Sequence, residues 1–98
     1  MDKQFFVYMM ASGKRGTLYT GLTSDLVTRV WQHRTHAIPD SFTARYNVTR
    51  LVWFEERGSA ENAITREKRM KEWRRAWKVE LIEAANPGWD DLWDSIVG

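Results

Sequence analysis

The 98-residue chain has no cysteine, which excludes both a disulfide framework and a thiolate zinc site. It has no apolar run near the roughly 20 residues that a membrane span needs. Its opening MDKQFF lacks a signal-peptide pattern, so a cytoplasmic protein with no membrane partner is expected. Glycine-rich phosphate loops are missing, and so is any Ser/His/Asp arrangement. There are only two prolines, Pro39 and Pro87, and both fall where the pattern already breaks. With no repeat, linker or low-complexity stretch, residues 1–98 read as one domain, large enough for a single core.

What is present is charge with an uneven distribution. The formal net charge is only +2. Yet between Thr65 and Lys78 stand Arg66, Lys68, Arg69, Lys71, Arg74, Arg75 and Lys78 against Glu67 and Glu72. From Val79 onward Glu80, Glu83, Asp90, Asp91 and Asp94 meet no basic residue. A basic stripe suits a phosphate backbone, although a solvated helix face produces the same pattern.

Phe5 to Met10 reads as a strand buried on both faces, because neither alternating set is polar. Ala11 to Gly16 reads as a hairpin turn and Thr17 to Thr20 as the return strand. That pairing sets position 9 opposite 18 and position 8 opposite 19, with Tyr8 and Tyr19 side by side. Thr23, Ser24 or Asp25 caps a helix over Leu26 to Arg34, with Leu26, Val27, Val30 and Trp31 as its apolar stripe. Arg29 and His33, four apart, lie at one margin of that stripe. A loop follows, with a helical turn around Ser41 to Arg45. Arg50 to Glu55 is a third strand. Ser59 caps a helix from Ala60 to Trp73 with Ala63, Ile64 and Met70 inward. A further helix from Arg75 to Ala85 sets Trp77, Leu81 and Ala84 on one side, unless the two are one longer helix. Asn86-Pro87-Gly88 stops it, and Trp89, Leu92, Trp93 and Ile96 fold the acidic tail back onto the body. The outcome is a small α/β (α+β) sandwich, a three-stranded antiparallel sheet with helices packed over it.

Glu67 is the most informative single position. It lies four after Ala63 and three before Met70, on the apolar face, where a carboxylate costs several kcal/mol unless it is paired or bound to a cation. A buried pair with Arg29 satisfies it; so does Mg²⁺, which often takes one carboxylate plus waters and substrate phosphate. A second inward carboxylate is missing, which disfavours two-metal hydrolysis.

Phe6-Val7-Tyr8 and Tyr19-Thr20-Gly21, followed by an Arg and a His four apart on a helix, resemble the GIY-YIG nuclease domain. REKRMKEWRRAWK from Arg66 to Lys78, with its Asn-Pro-Gly-Trp stop, resembles the small stand-alone bacterial members. The likeness spans almost the whole chain and implies a three-stranded antiparallel sheet flanked by helices. It implies a hydrolase, an endonuclease cutting DNA phosphodiesters with one Mg²⁺ or Mn²⁺; with no appended recognition domain in these residues, little sequence specificity is expected. Single-stranded, branched or nicked DNA in repair or processing would be its substrate. Tyr8 and Tyr19 match the motif tyrosines, Arg29 the helix arginine, His33 the histidine one turn on and Glu67 the metal-binding glutamate. By that likeness one of the tyrosines, Tyr8 ahead of Tyr19, positions or deprotonates the attacking water with the other and His33 assisting, and Arg29 neutralises phosphoryl charge. Arg66, Lys68, Arg69, Lys71, Arg74 and Arg75 would hold nucleic acid, and exposed tryptophans among Trp31, Trp53, Trp73 and Trp77 could stack on bases. Phe6 replaces the first motif's glycine, and Leu22 stands where some members carry a lysine. Asn86 reads as a helix stop and not as a site residue. A nucleic-acid-binding module without turnover, or a protein-interaction domain using the acidic tail, are the alternatives.

Overall fold

Val7 through Ala11 are all fully buried, so the first strand has two inner faces. In the computed structural model, which describes residues 4–98, the elements run β1 (Phe5–Ala11), β2 (Leu18–Thr23), α1 (Leu26–Arg34), α2 (Phe42–Arg45), β3 (Arg50–Arg57), α3 (Ala60–Glu72), α4 (Arg75–Ala85) and α5 (Trp93–Val97). The strands form one antiparallel sheet in the order β2-β1-β3. Val7, Met9 and Ala11 point to a core shared with Ala63, Met70, Ile82 and Trp89 from the α3–α4 side. Tyr8 and Met10 point to a second core with Leu26 and Val30 of α1, joined by Leu92, Trp93 and Ile96 of the tail. Helices therefore cover both faces of the sheet, where the sequence pattern suggests a single layer above it. The double burial of β1 is the local signal of that arrangement.

The hairpin register departs from the expected one. Tyr8 stands opposite Gly21, and Met10 opposite Tyr19. Strand β1 continues to Ala11, and the loop closes later, with Ser12 N donating to Thr17 O at 3.0 Å and Thr17 N to Ser12 Oγ at 2.9 Å. The slip is two residues in the pairing, so every side chain keeps its face. Tyr8 and Tyr19 become diagonal neighbours instead of direct ones.

Asp25 is the cap of α1, its Oδ1 accepting from Thr28 N at 3.2 Å. Of the expected stripe only Leu26 and Val30 are buried; Val27 and Trp31 are exposed, and His33 takes the third inward place. The i, i+4, i+7 spacing of these three is that of one helix face. Ser41 caps the single turn of α2, and Ser59 caps α3. On α3 Ile64 is exposed, contrary to expectation, so the inward face is carried by Ala63 and Met70. Trp73 and Arg74 adopt extended backbone, which divides α3 from α4. Across that break Arg75 donates to the carbonyls of Arg15 and Gly16 at 2.7 and 2.8 Å, tying the start of α4 to the hairpin turn. On α4 Ile82 is the buried residue, while Trp77 and Ala84 face out and Leu81 is half-buried.

The stop after α4 is built by Asn86. Its buried amide donates to Val52 O at 3.1 Å and Asp90 O at 2.9 Å, and its Oδ1 accepts from Asp90 N at 3.0 Å. Trp89, with φ of 56°, makes the left-handed step of this loop in place of Gly88. Full burial of its ring and a bond from Nε1 to Glu83 Oε2 at 2.8 Å offset the roughly 1 kcal/mol that such a backbone costs a bulky residue. Arg34 pairs with Asp91 and Arg15 with Glu83, so the acidic tail is held to the body by the chain's own cations.

Candidate active site

The sheet delivers Tyr8 and Tyr19 to the face covered by α1, and α1 adds Arg29 and His33. Ring centroids are 6.2 Å apart for Tyr8–Tyr19, 5.7 Å for Tyr8–His33 and 5.2 Å for Tyr19–His33. The Tyr8 hydroxyl lies 2.8 Å from His33 Nε2, and His33 Nδ1 lies 2.8 Å from Thr43 Oγ1. Thr43 Oγ1 in turn is 3.3 Å from Ser41 Oγ.

These bonds fix a direction. Tyr8 is fully buried, and a buried phenol proton needs an acceptor. Among the described residues the His33 ring is the acceptor within reach. Burial and then the Arg29 guanidinium push the His33 pKa down to about 4, so the ring is neutral near pH 7 and carries one N–H. With Nε2 accepting from Tyr8, Nδ1 holds that proton and donates to Thr43, whose hydroxyl turns to Ser41. Burial and the neighbouring Tyr19 phenol raise the Tyr8 pKa well above the ordinary tyrosine range, outweighing the lowering by Arg29. Tyr8 is thus a neutral, sealed phenol. The sequence reading that gives it the attacking water meets an obstacle here, because water does not reach its oxygen.

A pocket of about 260 Å³ opens above this floor, lined by Tyr19, Arg29, Gln32, His33, Ile38, Ser41, Phe42 and Thr43. Burial works against the charge on Arg29, but the Tyr8 and Tyr19 phenols beside it hold its pKa above the ordinary value. Its Nη1 donates to Gln32 Oε1 at 3.1 Å. It is a half-buried, oriented cation facing the cavity.

Gly21 is what permits the convergence. A Cβ there would stand 2.5 Å from Cζ and the hydroxyl of Tyr8 and 2.9 Å from Cε2 of Tyr19. The glycine is needed for close approach and not for its backbone angle, since no described glycine has positive φ.

Glu67 is half-buried, its side chain 17% exposed, and pairs with Lys71 Nζ at 3.5 Å. The expected pair with Arg29 is not formed. Its charge adds the smallest of the upward contributions to the Tyr8 phenol, which puts it within electrostatic reach of the site. No cluster of three acidic, histidine or cysteine ligands exists among the described residues. A hard carboxylate is the kind of donor that Mg²⁺ or Mn²⁺ combine with waters and substrate oxygens; the further carboxylates that a two-metal centre needs are lacking beside it among the described residues.

The basic stripe is partly spoken for. Arg66 pairs with Glu55 at 3.0 Å and lies 5.2 Å over the Trp73 ring. Lys71 engages Glu67 and Arg75 the hairpin turn. Arg74 sits 5.7 Å over the exposed Trp77. Lys68 and Arg69 are exposed with no side-chain partner among the described residues. Thr43, Ser41 and Gln32 join the site without having been expected there. The one hint in the sequence was the helical turn at Ser41 to Arg45, which places two hydroxyls beside a helix carrying a histidine.

A family model described as the GIY-YIG catalytic domain matches residues 4–80. The chain belongs to the GIY-YIG family. A UPF0213 protein of Syntrophus aciditrophicus (strain SB) is 30% identical over 83 residues, covering 85% of this chain and 93% of that one. A UPF0213 protein of Desulfotalea psychrophila is 28% identical over 89 residues, covering 91% and 80%. The solution NMR structure of a UPF0213 protein from Bacillus halodurans superposes with a TM-score of 0.56 at 26% identity, covering 90% of this chain and 92% of that one. Membership places this GIY-YIG domain in a nuclease family, and the sheet flanked by helices agrees with that fold.

Proposed function

We propose that this GIY-YIG protein is a divalent-metal-dependent endonuclease that hydrolyses DNA phosphodiesters with low sequence specificity. The observation that carries the reading is the meeting of Tyr19, His33 and Arg29 at one pocket, with Tyr8 sealed directly beneath it. Tyr19, which lines the pocket, holds and orients the attacking water; Tyr8 lies beneath it and fixes the His33 ring. Arg29 faces the phosphoryl oxygens and neutralises the charge that develops on them, a role that an oriented cation serves without reorganising. An ion on Glu67 would supply Lewis-acid stabilisation of the leaving oxygen. Lys71, now paired with that carboxylate, would have to give it up to the ion. Lys68, Arg69 and Arg74 offer the cationic surface for the backbone, which gives salt-sensitive binding without base readout.

Plasmid and flap substrates, incubated with Mg²⁺ or Mn²⁺ and either the native protein or Glu67→Ala, test this. Metal-dependent cutting lost in Glu67→Ala is expected. Salt-sensitive binding without cutting would instead make the chain a nucleic-acid-binding module, and neither activity would leave a protein-interaction domain. A role in repair rests on the choice of substrate, and the flap and nicked forms report on it.

A further inference from the structure

The pocket has an aromatic rim that the hydrolytic reading leaves unused. Phe42 and Tyr46 are 45% and 50% exposed, and Ile38 is 44% exposed. Phe42 and Ile38 line the pocket mouth. The Tyr19 and Phe42 centroids are 6.1 Å apart and those of Phe42 and Tyr46 4.8 Å, with interplanar angles of 30° and 45°. The row starts inside the site and runs outward along α2. The same single turn has two opposed sides. Ser41 caps it, Thr43 is buried against His33 and Val48 is fully buried behind it. Those three attach the segment to the body, so its fold does not require large rings at 42 and 46.

The charge beside the row is mostly positive. Between Leu26 and Arg50 there are four arginines and one acidic residue, Asp40. Arg34 and Arg50 are bonded within the protein. Arg45, lying between Phe42 and Tyr46, is exposed and makes no side-chain bond among the described residues. Aromatic faces next to a free guanidinium, that of Arg45, fit bases joined by phosphates better than they fit an apolar protein surface.

We propose that Phe42 and Tyr46 form a stacking shelf for unpaired bases next to the phosphate held by Arg29, which makes single-stranded DNA the preferred substrate. This rests on the nuclease reading for the position of the phosphate, but the shelf is measured separately from cutting. A base still paired in a duplex has both faces covered by its neighbours and cannot use the shelf.

The test is fluorescence anisotropy in EDTA, which stops metal-dependent cleavage, with a labelled single strand, the same strand carrying abasic positions, and a duplex. The proteins are the native chain, Phe42→Ala/Tyr46→Ala, and the ring-preserving pair Phe42→Tyr/Tyr46→Phe, each checked for folding by thermal melting. The alanine pair is expected to lose about 10- to 100-fold in affinity for the single strand and to keep its affinity for the duplex. The ring-preserving pair should bind like the native chain. Abasic positions should weaken the native chain to the level of the alanine pair and weaken that pair no further. Equal binding by the native chain and the alanine pair, or equal sensitivity of both to base removal, overturns the shelf. So does a native dimer that the alanine pair converts to monomers without a change in DNA affinity, since the rings would then be a subunit contact. Cleavage with Mg²⁺ is scored apart from this. Cutting with no shelf effect rejects the shelf alone, whereas a shelf effect without cutting rejects the nuclease reading and keeps the shelf.

Discussion

The Tyr8 ring occupies the space that any side chain at Gly21 would need, with a Cβ there falling 2.5 Å from its Cζ and hydroxyl. One strand thus carries a bare position so that its neighbour can lay a phenol across it and reach His33. Gly21→Ala is expected to destabilise the fold by about 1–3 kcal/mol through overpacking and to abolish activity by displacing Tyr8. Denaturant unfolding with a native midpoint would refute this contact.

The neutral state of His33 has a consequence for acid stability. Its folded pKa of about 4 lies below the ordinary 6.5. Between these values the unfolded chain takes up a proton that the folded chain does not, so stability falls as pH drops through that window. The loss is at most about 3 kcal/mol. His33→Asn should flatten this part of the stability–pH curve, measured against the native chain so that the carboxylates cancel. An unchanged slope would mean that the ring is not desolvated.

Thr43 acts through His33. Thr43→Val removes the acceptor of the Nδ1 proton and should cost about 1–3 kcal/mol by leaving a buried donor unpaired. Nitrogen shifts of the His33 ring report it directly: the native ring is expected to show the Nδ1–H tautomer and the variant a mixture. An Nε2–H tautomer in the native chain would reverse the direction assigned to the whole chain of bonds.

Asn86 is expected to matter for folding and not for turnover. Asn86→Ala removes three hydrogen bonds at a buried site and should lower stability by about 2–3 kcal/mol. The turnover of the remaining folded protein, measured well below its melting temperature, should stay native. A fall in turnover with unchanged stability would put Asn86 in the site.

Much of this was legible in the chain itself. The limits of α1 and the end of α4 follow from a polar start and the Asn-Pro-Gly stop, whereas the start of α4 has no capping side chain to mark it. The meeting of Tyr8 and Tyr19 on one face survives the register slip, as a diagonal and not a direct pair, because a two-residue shift preserves faces. The single layer of helices did not survive, because a short strand buried on both sides does not say which helices cover it. Ile64, Trp77 and Trp31 were placed inward from spacing, but α1, α3 and α4 are polar enough that one step of rotation changes the buried set. Position 33 could have been read as inward from Leu26 and Val30 seven and three residues before it. Thr43 could not, since its partner is ten residues away through a loop whose path is set by packing.

If the Tyr19–Arg29 pocket cuts DNA, the single-turnover cleavage rate of Arg29→Ala on a nicked or single-stranded substrate in saturating Mg²⁺ must show it. A loss of about 100- to 1,000-fold is expected, as for removal of an oriented donor from a developing charge, with native thermal stability. Cleavage at the native rate by a folded Arg29→Ala would contradict it.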